Sequence, residues 1–549
     1  MPLWRLILLA LLVTTGPPVV AQTVLDRTDP TQSEADMEPA ERPQQANPVI
    51  NAPPQSAPDR QLESGGRIAV SSIIISGNEA LPDSEFVDLI EHFTAQPLSQ
   101  ADLTVLADAV AQRARERGYV FASAIIPQQS LNLGVLRIEL DEGKVDTIRI
   151  EGADDPAIRR QLAPLVDGGP VTKDELERRI LLANDISGAR IFDASFEREG
   201  ALGVLLVRTR RSRASASVAL SNNGSQPVGP VRARIHVDLN GVLDGADEVD
   251  LTVGTTPFQP DELQFVRGSY RIVVDADGLE LGTHISYSAT DPGAFLSDRD
   301  INGEFWRVGV DAQYPLLRRR ALSVWVIGEF EVTNLKQMEA GAVVRHDRVP
   351  TVRLGIYSRG RFAGGYFRGR VMASRGLDIL SATQSGDPLA SRSDASAQFT
   401  SLYGWAAWNR SLIDSFSLAL GVRAQLAAEP LLATEDIGLG GPSFLRGYNF
   451  NERTGDQGIM GYGELRYNWR GEGFWMPRGQ VYVFADGGVV SNLEGGFGGG
   501  SLASAGGGLR LDLTRDLDLG LEVAVPLTGE RLDSDSDDPL FNLRVQQTF

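Results

Sequence analysis

The stretch best equipped for chemistry is Phe444-Leu445-Arg446-Gly447-Tyr448, which carries one guanidinium among apolar and aromatic side chains. A guanidinium presents several N–H donors in a rigid fork and therefore suits a fixed carboxylate. Just upstream, Gly440-Gly441-Pro442 breaks any strand. Arg446 thus sits near the tip of a loop inside a region that otherwise reads as strands. From the residues alone two readings stay open. The loop is either an ordinary surface loop with a solvated arginine, or it folds back into a polar lumen and is tethered there.

Other reactive constellations are missing. The chain has no cysteine, which excludes disulfides, thiolate metal sites and cysteine nucleophiles. His92, His236, His284 and His346 are scattered without metal-ligand spacing. No Gly-x-Ser-x-Gly, His-Glu-x-x-His or phosphate-binding Gly-Lys-Ser/Thr occurs. Gly495 to Gly500 reads as a flexible loop between two strands. Asp533, Asp535, Asp537 and Asp538 read as a solvated acidic loop without a calcium-loop pattern. The expectation is no enzyme, no cofactor and no metal. A net charge of -20 over 549 residues argues against nucleic acid as a partner.

The elements that must position the loop follow in chain order. Met1 to Ala21 has a basic start, a short apolar core and small residues at a cleavage site, which marks a secretory signal. Residues 22–66 are rich in Pro, Gln and acids and read as a disordered linker. Residues 67–142 then give strand, helix, helix, strand, strand. Ile68 to Ser76 is β-branched, and Ser99 with Asp102 resembles a capping box. Leu103, Leu106, Ala107, Val110 and Ala114 share a helical face, and Tyr119 to Ile126 with Leu131 to Leu140 reads as a hairpin. Residues 143–212 repeat the order, with Thr172 and Glu175 as the second capping box. Two tandem α+β units suit small domains.

From residue 213 period 2 replaces the helical period. Trp306, Val308, Val310, Ala312 and Tyr314 alternate with Arg307, Gly309, Asp311 and Gln313. Leu517 to Val525 and Phe541 to Phe549 alternate in the same way. Short turns such as Thr514-Arg515-Asp516 alternate with long loops. This is the pattern of an antiparallel transmembrane β-barrel with an apolar belt and a polar lumen. No stretch is apolar enough for a spanning helix, so a membrane location requires a barrel. About seventeen strand candidates appear, with Pro350 in the region 338–360 dividing one long strand that is counted twice.

The chain resembles the two-partner secretion transporters, the haemolysin secretion/activation family within the POTRA-containing outer-membrane superfamily. The residues that carry the resemblance are the two α+β units, the marks Gly118-Tyr119 and Pro127-Gln128-Gln129, and the Arg446-Gly447-Tyr448 tip. Leu445 stands where the family has Val or Ile. Phe484-Ala485-Asp486-Gly487-Gly488 matches the family's Phe-x-Asp-x-Gly strand. The resemblance implies a barrel of about sixteen antiparallel strands after two POTRA domains, with an inward-folded loop at 428–458. It implies that Asp486 holds Arg446, with Phe484 and Glu464 in the same network. Many members also carry an N-terminal plug helix, which Pro30 and the prolines after it oppose here. The implied function is export of a large β-helical exoprotein of adhesin or haemolysin type across the outer membrane, with the POTRA domains in the periplasm. The alternative is a barrel insertase of the same superfamily. Cargo capture would fall beside Leu103, Tyr119 and Phe121. Further partners would be outer-membrane lipid and lipopolysaccharide, and the barrel assembly machinery through the C-terminal strand ending at Phe549.

Overall fold

In the first α+β unit, Ser99 starts the long helix as the spacing predicts. Its hydroxyl accepts from the Asp102 N–H at 3.2 Å, and the Asp102 carboxylate accepts from the Ser99 N–H at 2.8 Å. The Ser99 hydroxyl and then its backbone N–H hold the Asp102 carboxyl below its usual value. The helix so started, Gln100–Glu116, buries Leu103, Leu106, Val110 and Ala114 against the strands Ser72–Ser76, Ser123–Ile125 and Val135–Asp141. The computed structural model describes residues 25, 30–31, 49–51, 67–94, 96–129, 134–153, 155–200, 202–471 and 478–549. The expected signal segment at 1–21 lies outside them.

The second unit packs helices Pro156–Leu162, Pro164–Asp167 and Lys173–Asp185 on the strands Thr147–Gly152, Ala189–Glu199 and Leu202–Arg211. A fourth strand comes from the stretch expected to be disordered. Val49–Asn51 pairs in parallel with Asp193 to Ser195 on the edge strand, because an unpaired sheet edge offers backbone groups to any extended segment. Most of the rest of 22–66 lies outside the described residues, and so does most of the region where a plug helix would lie. Two of its positions are seen against the barrel. Gln337 donates to the Leu25 carbonyl at 2.8 Å, and Pro30 is buried beside Gly303.

From Ala214 to Thr548 sixteen strands form a closed ring in which each neighbouring pair is antiparallel, and Leu540–Thr548 closes on Ala214–Ser221. The Phe549 N–H donates to Ala216 O at 2.8 Å. Closure leaves no open edge, which a lipid-embedded sheet requires. The surplus strand candidate resolves at Pro350, which lies inside the single strand Ala342–Phe362. The adjacent strand Gly365–Gly376 pairs only from Thr351 onward, so the missing N–H of Pro350 falls where pairing on that side has ended. Val308 and Val310 face out, while Arg307 and Asp311 meet lumen partners.

The second unit is bolted beneath one end of the barrel. Arg318 binds Asp185 through two hydrogen bonds of 2.5 and 2.6 Å, Arg319 meets Asp174 at 2.6 Å, and Gln161 donates to Asp275 O at 2.6 Å. These contacts fall in or beside the turns 319–321 and 274–279, and the long loops leave from the opposite end. Phe121 links the two units by stacking on Phe196, with ring centroids 4.2 Å apart.

Replacing Ser99 with Ala removes a helix cap worth about a fivefold change in local opening. Amide hydrogen exchange in Gln100–Glu116 should accelerate by that order while the barrel strands are unchanged. In the unmutated chain the lowered Asp102 value means that its share of the cap persists above about pH 4 and is lost as pH falls further.

Candidate functional site: a loop tethered across the lumen

Residues 428–456 leave the strand Phe416–Ala427 at the end opposite the α+β units and return at Gln457–Trp469. The short hairpin Ile437–Leu439 with Arg453–Gly455 turns this loop inward. Gly440 and Gly441 adopt φ of +109° and +105°, values that suit glycine. Leu445 is held at φ +58°, a strained position for a branched side chain. What holds it is packing: Leu445, Phe444 and Tyr448 bury themselves with Ile437 and Leu439 of the loop's own hairpin and with Met460, Val490 and Leu502 on the barrel wall. At Gly447 an added Cβ would stand 2.9 Å from Pro526 N and Ser504 Cβ, so the backbone itself touches the wall.

Arg446, only 6% exposed, reaches three carboxylates. Its Nε donates to Asp486 Oδ2 at 3.2 Å, and one terminal nitrogen donates to Glu464 Oε2 at 2.9 Å and Glu522 Oε2 at 3.1 Å. The Arg446 backbone N–H also reaches Asp486 Oδ2 at 3.2 Å. Phe484 lies under the guanidinium, 3.4 Å from its carbon to the ring centroid, a cation–π contact. Ser504 donates to Asp486 and accepts from the Gly447 N–H at 3.1 Å. Glu464 is further bound by Arg466 and Arg510, at 2.6 and 2.7 Å. Tyr448 donates to Thr528 O at 2.5 Å and accepts from the Thr528 N–H at 3.0 Å.

Arg446, Gly447, Tyr448, Phe484, Asp486 and Glu464 therefore meet in one place. Glu522 and Ser504 belong with them and were not singled out by the sequence motifs. The available signal was strand parity, since Glu522 alternates with the apolar residues of Leu517–Pro526 and Ser504 is the cross-strand partner of Asp486.

The same loop has a second anchor. Glu435 accepts from Arg353 at 3.0 Å, and Arg353 also binds Glu331 at 2.6 Å. Glu331 lies on Leu322–Glu339 and Glu522 on Leu517–Pro526, and seven strands separate these two in either direction around the ring. The loop thus spans the lumen and is ion-paired near opposite walls. At its base, buried Asp456 accepts from Arg392 at 2.8 Å and from the N–H groups of Leu431 and Leu493, both at 2.6 Å.

Other sequence-derived candidates do not form a site. Leu103 is 6% exposed inside the first core, and Phe121 is 5% exposed in the second core. Both are structural, because the helix face carrying Leu103 turns to the sheet and Phe121 precedes the short strand Ser123–Ile125. Tyr119 is half-buried against the first core. The strand that follows them, Ser123–Ile125, is an edge of its sheet. Two constellations escaped the spacing rules, His236 with Asp238 and Asp250, and His284 with Glu329 and Glu331. Arg307 at 3.6 Å and Arg353 at 2.6 Å supply positive charge to Glu331, and Arg271 stands 4.0 Å from Asp250.

Comparison with known proteins agrees with this geometry. The family description "haemolysin secretion/activation protein ShlB/FhaC/HecB" matches residues 200–511, and that of a ShlB-type POTRA domain matches 68–143. The heme/hemopexin transporter protein HuxB of Haemophilus influenzae is 21% identical, over 96% of this chain and 95% of its own. The outer membrane transporter CdiB of Escherichia coli O6:K15:H31 is 24% identical, over 74% of this chain and 69% of its own. Among solved structures, CdiB from Escherichia coli superposes with a TM-score of 0.72 at 20% identity, covering 97% of this chain and 100% of that one.

Replacing Arg446 with Ala leaves Asp486 and Glu522 without this partner and removes the cation over Phe484. If the site is fully dry the loss is about 3–5 kcal/mol, and the water of a polar lumen lowers it. Chymotrypsin added to intact cells should then cut after Phe444 or Tyr448 at least about tenfold faster than in the unmutated chain. Equal protection of both would overturn the tether.

Proposed function

The chain belongs to the haemolysin secretion/activation protein family ShlB/FhaC/HecB, and from that premise we propose how its lumen loop and periplasmic units divide the work of export. The protein is an outer-membrane transporter of two-partner secretion, a sixteen-stranded barrel with POTRA domains on its periplasmic side. The cargo in this reading is a large exoprotein, extended in the periplasm and β-helical once outside. No nucleotide hydrolysis is needed, because folding of the cargo outside withdraws the chain from the pore.

The observation that carries the reading is the loop held by ion pairs near opposite walls. A passive pore gains nothing from a loop that obstructs its own lumen, whereas an exporter must stay sealed between substrates. Arg446, Gly447, Tyr448, Asp486, Phe484 and Glu464 act in this reading as the clasp. Passage requires the clasp to yield or to be bypassed. The POTRA units capture cargo by edge pairing. Because Leu103 and Phe121 are core residues, the capture surface is a backbone strand edge, either Ser123–Ile125 beside them or Ala189–Glu199, which Val49–Asn51 occupies in this structure. Two further partners complete the reading. Lipid and lipopolysaccharide surround the apolar belt, and the barrel assembly machinery recognises the last strand through Phe549, which is 74% exposed.

Mass spectrometry of the medium from cells with and without this chain tests the reading. The expected result is loss of one large exoprotein with other outer-membrane barrels unchanged. Loss of many barrels and of no single exoprotein would move the chain to the insertase branch. Within the exporter reading, Arg446→Ala should reduce that exoprotein at least about tenfold while the barrel still assembles, and Glu435→Gln should reduce it less, since it breaks one ion pair where Arg446→Ala breaks three.

A further inference from the structure

One wall of the lumen is charged with a single sign. The three consecutive strands Gly365–Gly376, Thr400–Ile413 and Phe416–Ala427 contain no Asp or Glu, although the whole chain carries a net charge of -20. Their lumen face, with that of Ala342–Phe362, carries arginines in register. Arg361 stands opposite Tyr366, Arg359 opposite Arg368, and Arg370 between Tyr357 and Trp405. Arg423 pairs across from Trp405. The column begins where Arg359 lies 3.6 Å from Asp185 of the second POTRA unit. It ends where Arg423 lies over the ring of Phe444 in the lumen loop, 5.1 Å from guanidinium carbon to centroid.

Like charges directly opposite one another on neighbouring strands cost stability, yet Arg359 and Arg368 are direct partners. Their guanidiniums spread over aromatic rings instead, Arg359 over Trp325 at 5.0 Å and Arg368 over Trp405 at 5.8 Å. The nearest carboxylate to Arg370 among its ion pairs is Glu329 at 3.9 Å. Among the described residues, Arg370 and Arg423 each bury an Nε that has no hydrogen-bond partner. Such a surface presents positive charge that no carboxylate of the three strands answers.

We propose that this column is a guide for the passenger, selecting acidic segments of an extended polypeptide on their way from the POTRA units to the loop. The rungs recur every second residue, about 7 Å, which is also the spacing of same-side residues in an extended passenger. Guanidiniums accept a moving register of partners, pairing with a carboxylate or donating to a backbone carbonyl. Tyr357, Trp405 and Tyr366 supply apolar faces between them, so no rung holds the passenger tightly. The column deepens the export reading and rests on it for the identity of the passenger.

Its test does not depend on secretion. The full chain, purified in detergent, is titrated with a short fluorescent peptide of alternating Glu and Thr, and with its Lys and Thr counterpart. The acidic peptide should bind at least about tenfold more tightly than the basic one and weaken steeply with added salt. The triple variant Arg359→Gln, Arg368→Gln, Arg370→Gln should lose about tenfold in affinity for the acidic peptide while still migrating as a folded, heat-modifiable barrel. If the triple variant does not fold, Arg423→Gln alone should weaken binding measurably. Equal binding of the two peptides by the unmutated chain, or unchanged binding by a folded variant, overturns the column. Because the readout is binding to purified protein, either failure leaves the export assay standing. A failed export assay likewise leaves the peptide result intact.

Discussion

A guanidinium buried against three carboxylates is the constraint from which the site follows. Arg446 can lie inside the barrel only because Asp486, Glu464 and Glu522 neutralise it and Phe484 covers its face. Each of those acids is affordable at low exposure only because cations answer it; Glu464 alone receives Arg446, Arg466 and Arg510. Removing Arg446 takes the guanidinium from Asp486 and Glu522, whereas Glu464 keeps Arg466 and Arg510, and the penalty of a buried unpaired charge exceeds the gain of pairing it. The strained φ of Leu445 and the close approach of Gly447 to Ser504 are tolerable because this network fixes the tip. The loop, in turn, is held across the lumen from one wall to near the opposite one.

How much of this was legible in the residues depended on whether the signal was local. The caps at Ser99 and Thr172, the alternation of Trp306 to Tyr314 and the break at Gly440-Gly441-Pro442 are properties of a few neighbouring residues, and each has its counterpart in the fold, except that the Glu175 carboxylate turns to Arg179 and leaves the second capping box half formed. Pro350 looked like a boundary because pairing partners are invisible in a sequence; only the end of the neighbouring strand explains how a proline fits inside a strand of twenty-one residues. Leu103 and Phe121 looked available for cargo for the same reason. Their helical and strand faces were apparent, but which neighbour would cover them was not.

The partners of the clasp divide along the same line. Asp486 and Glu464 stand in motifs that a family resemblance can carry over. Glu522, Ser504 and Arg353 stand in no motif and join through barrel register alone, which brings residues from seven strands away onto one loop, where Arg353 meets Glu435. Period 2 tells which side chains enter a lumen. It does not tell which of them share a height, because height depends on the shear of the closed barrel.

Charge placement connects the two halves of the lumen. The acids that hold Arg446 lie on Gln457–Trp469, Arg478–Ser491 and Leu517–Pro526, whereas the wall between Ala342–Phe362 and Phe416–Ala427 offers arginines without acids. An acidic passenger rising along that wall would meet Arg423, which lies over Phe444, two residues before Arg446 in the same loop. Opening the clasp by pulling would leave a buried charge alone. Exchanging one carboxylate for another at the same guanidinium keeps the charge paired throughout, so its barrier is lower than that of outright rupture. A loop held across a lumen by arginine–carboxylate pairs is therefore released most readily by a substrate that brings carboxylates of its own, and a basic or neutral segment offers no such exchange.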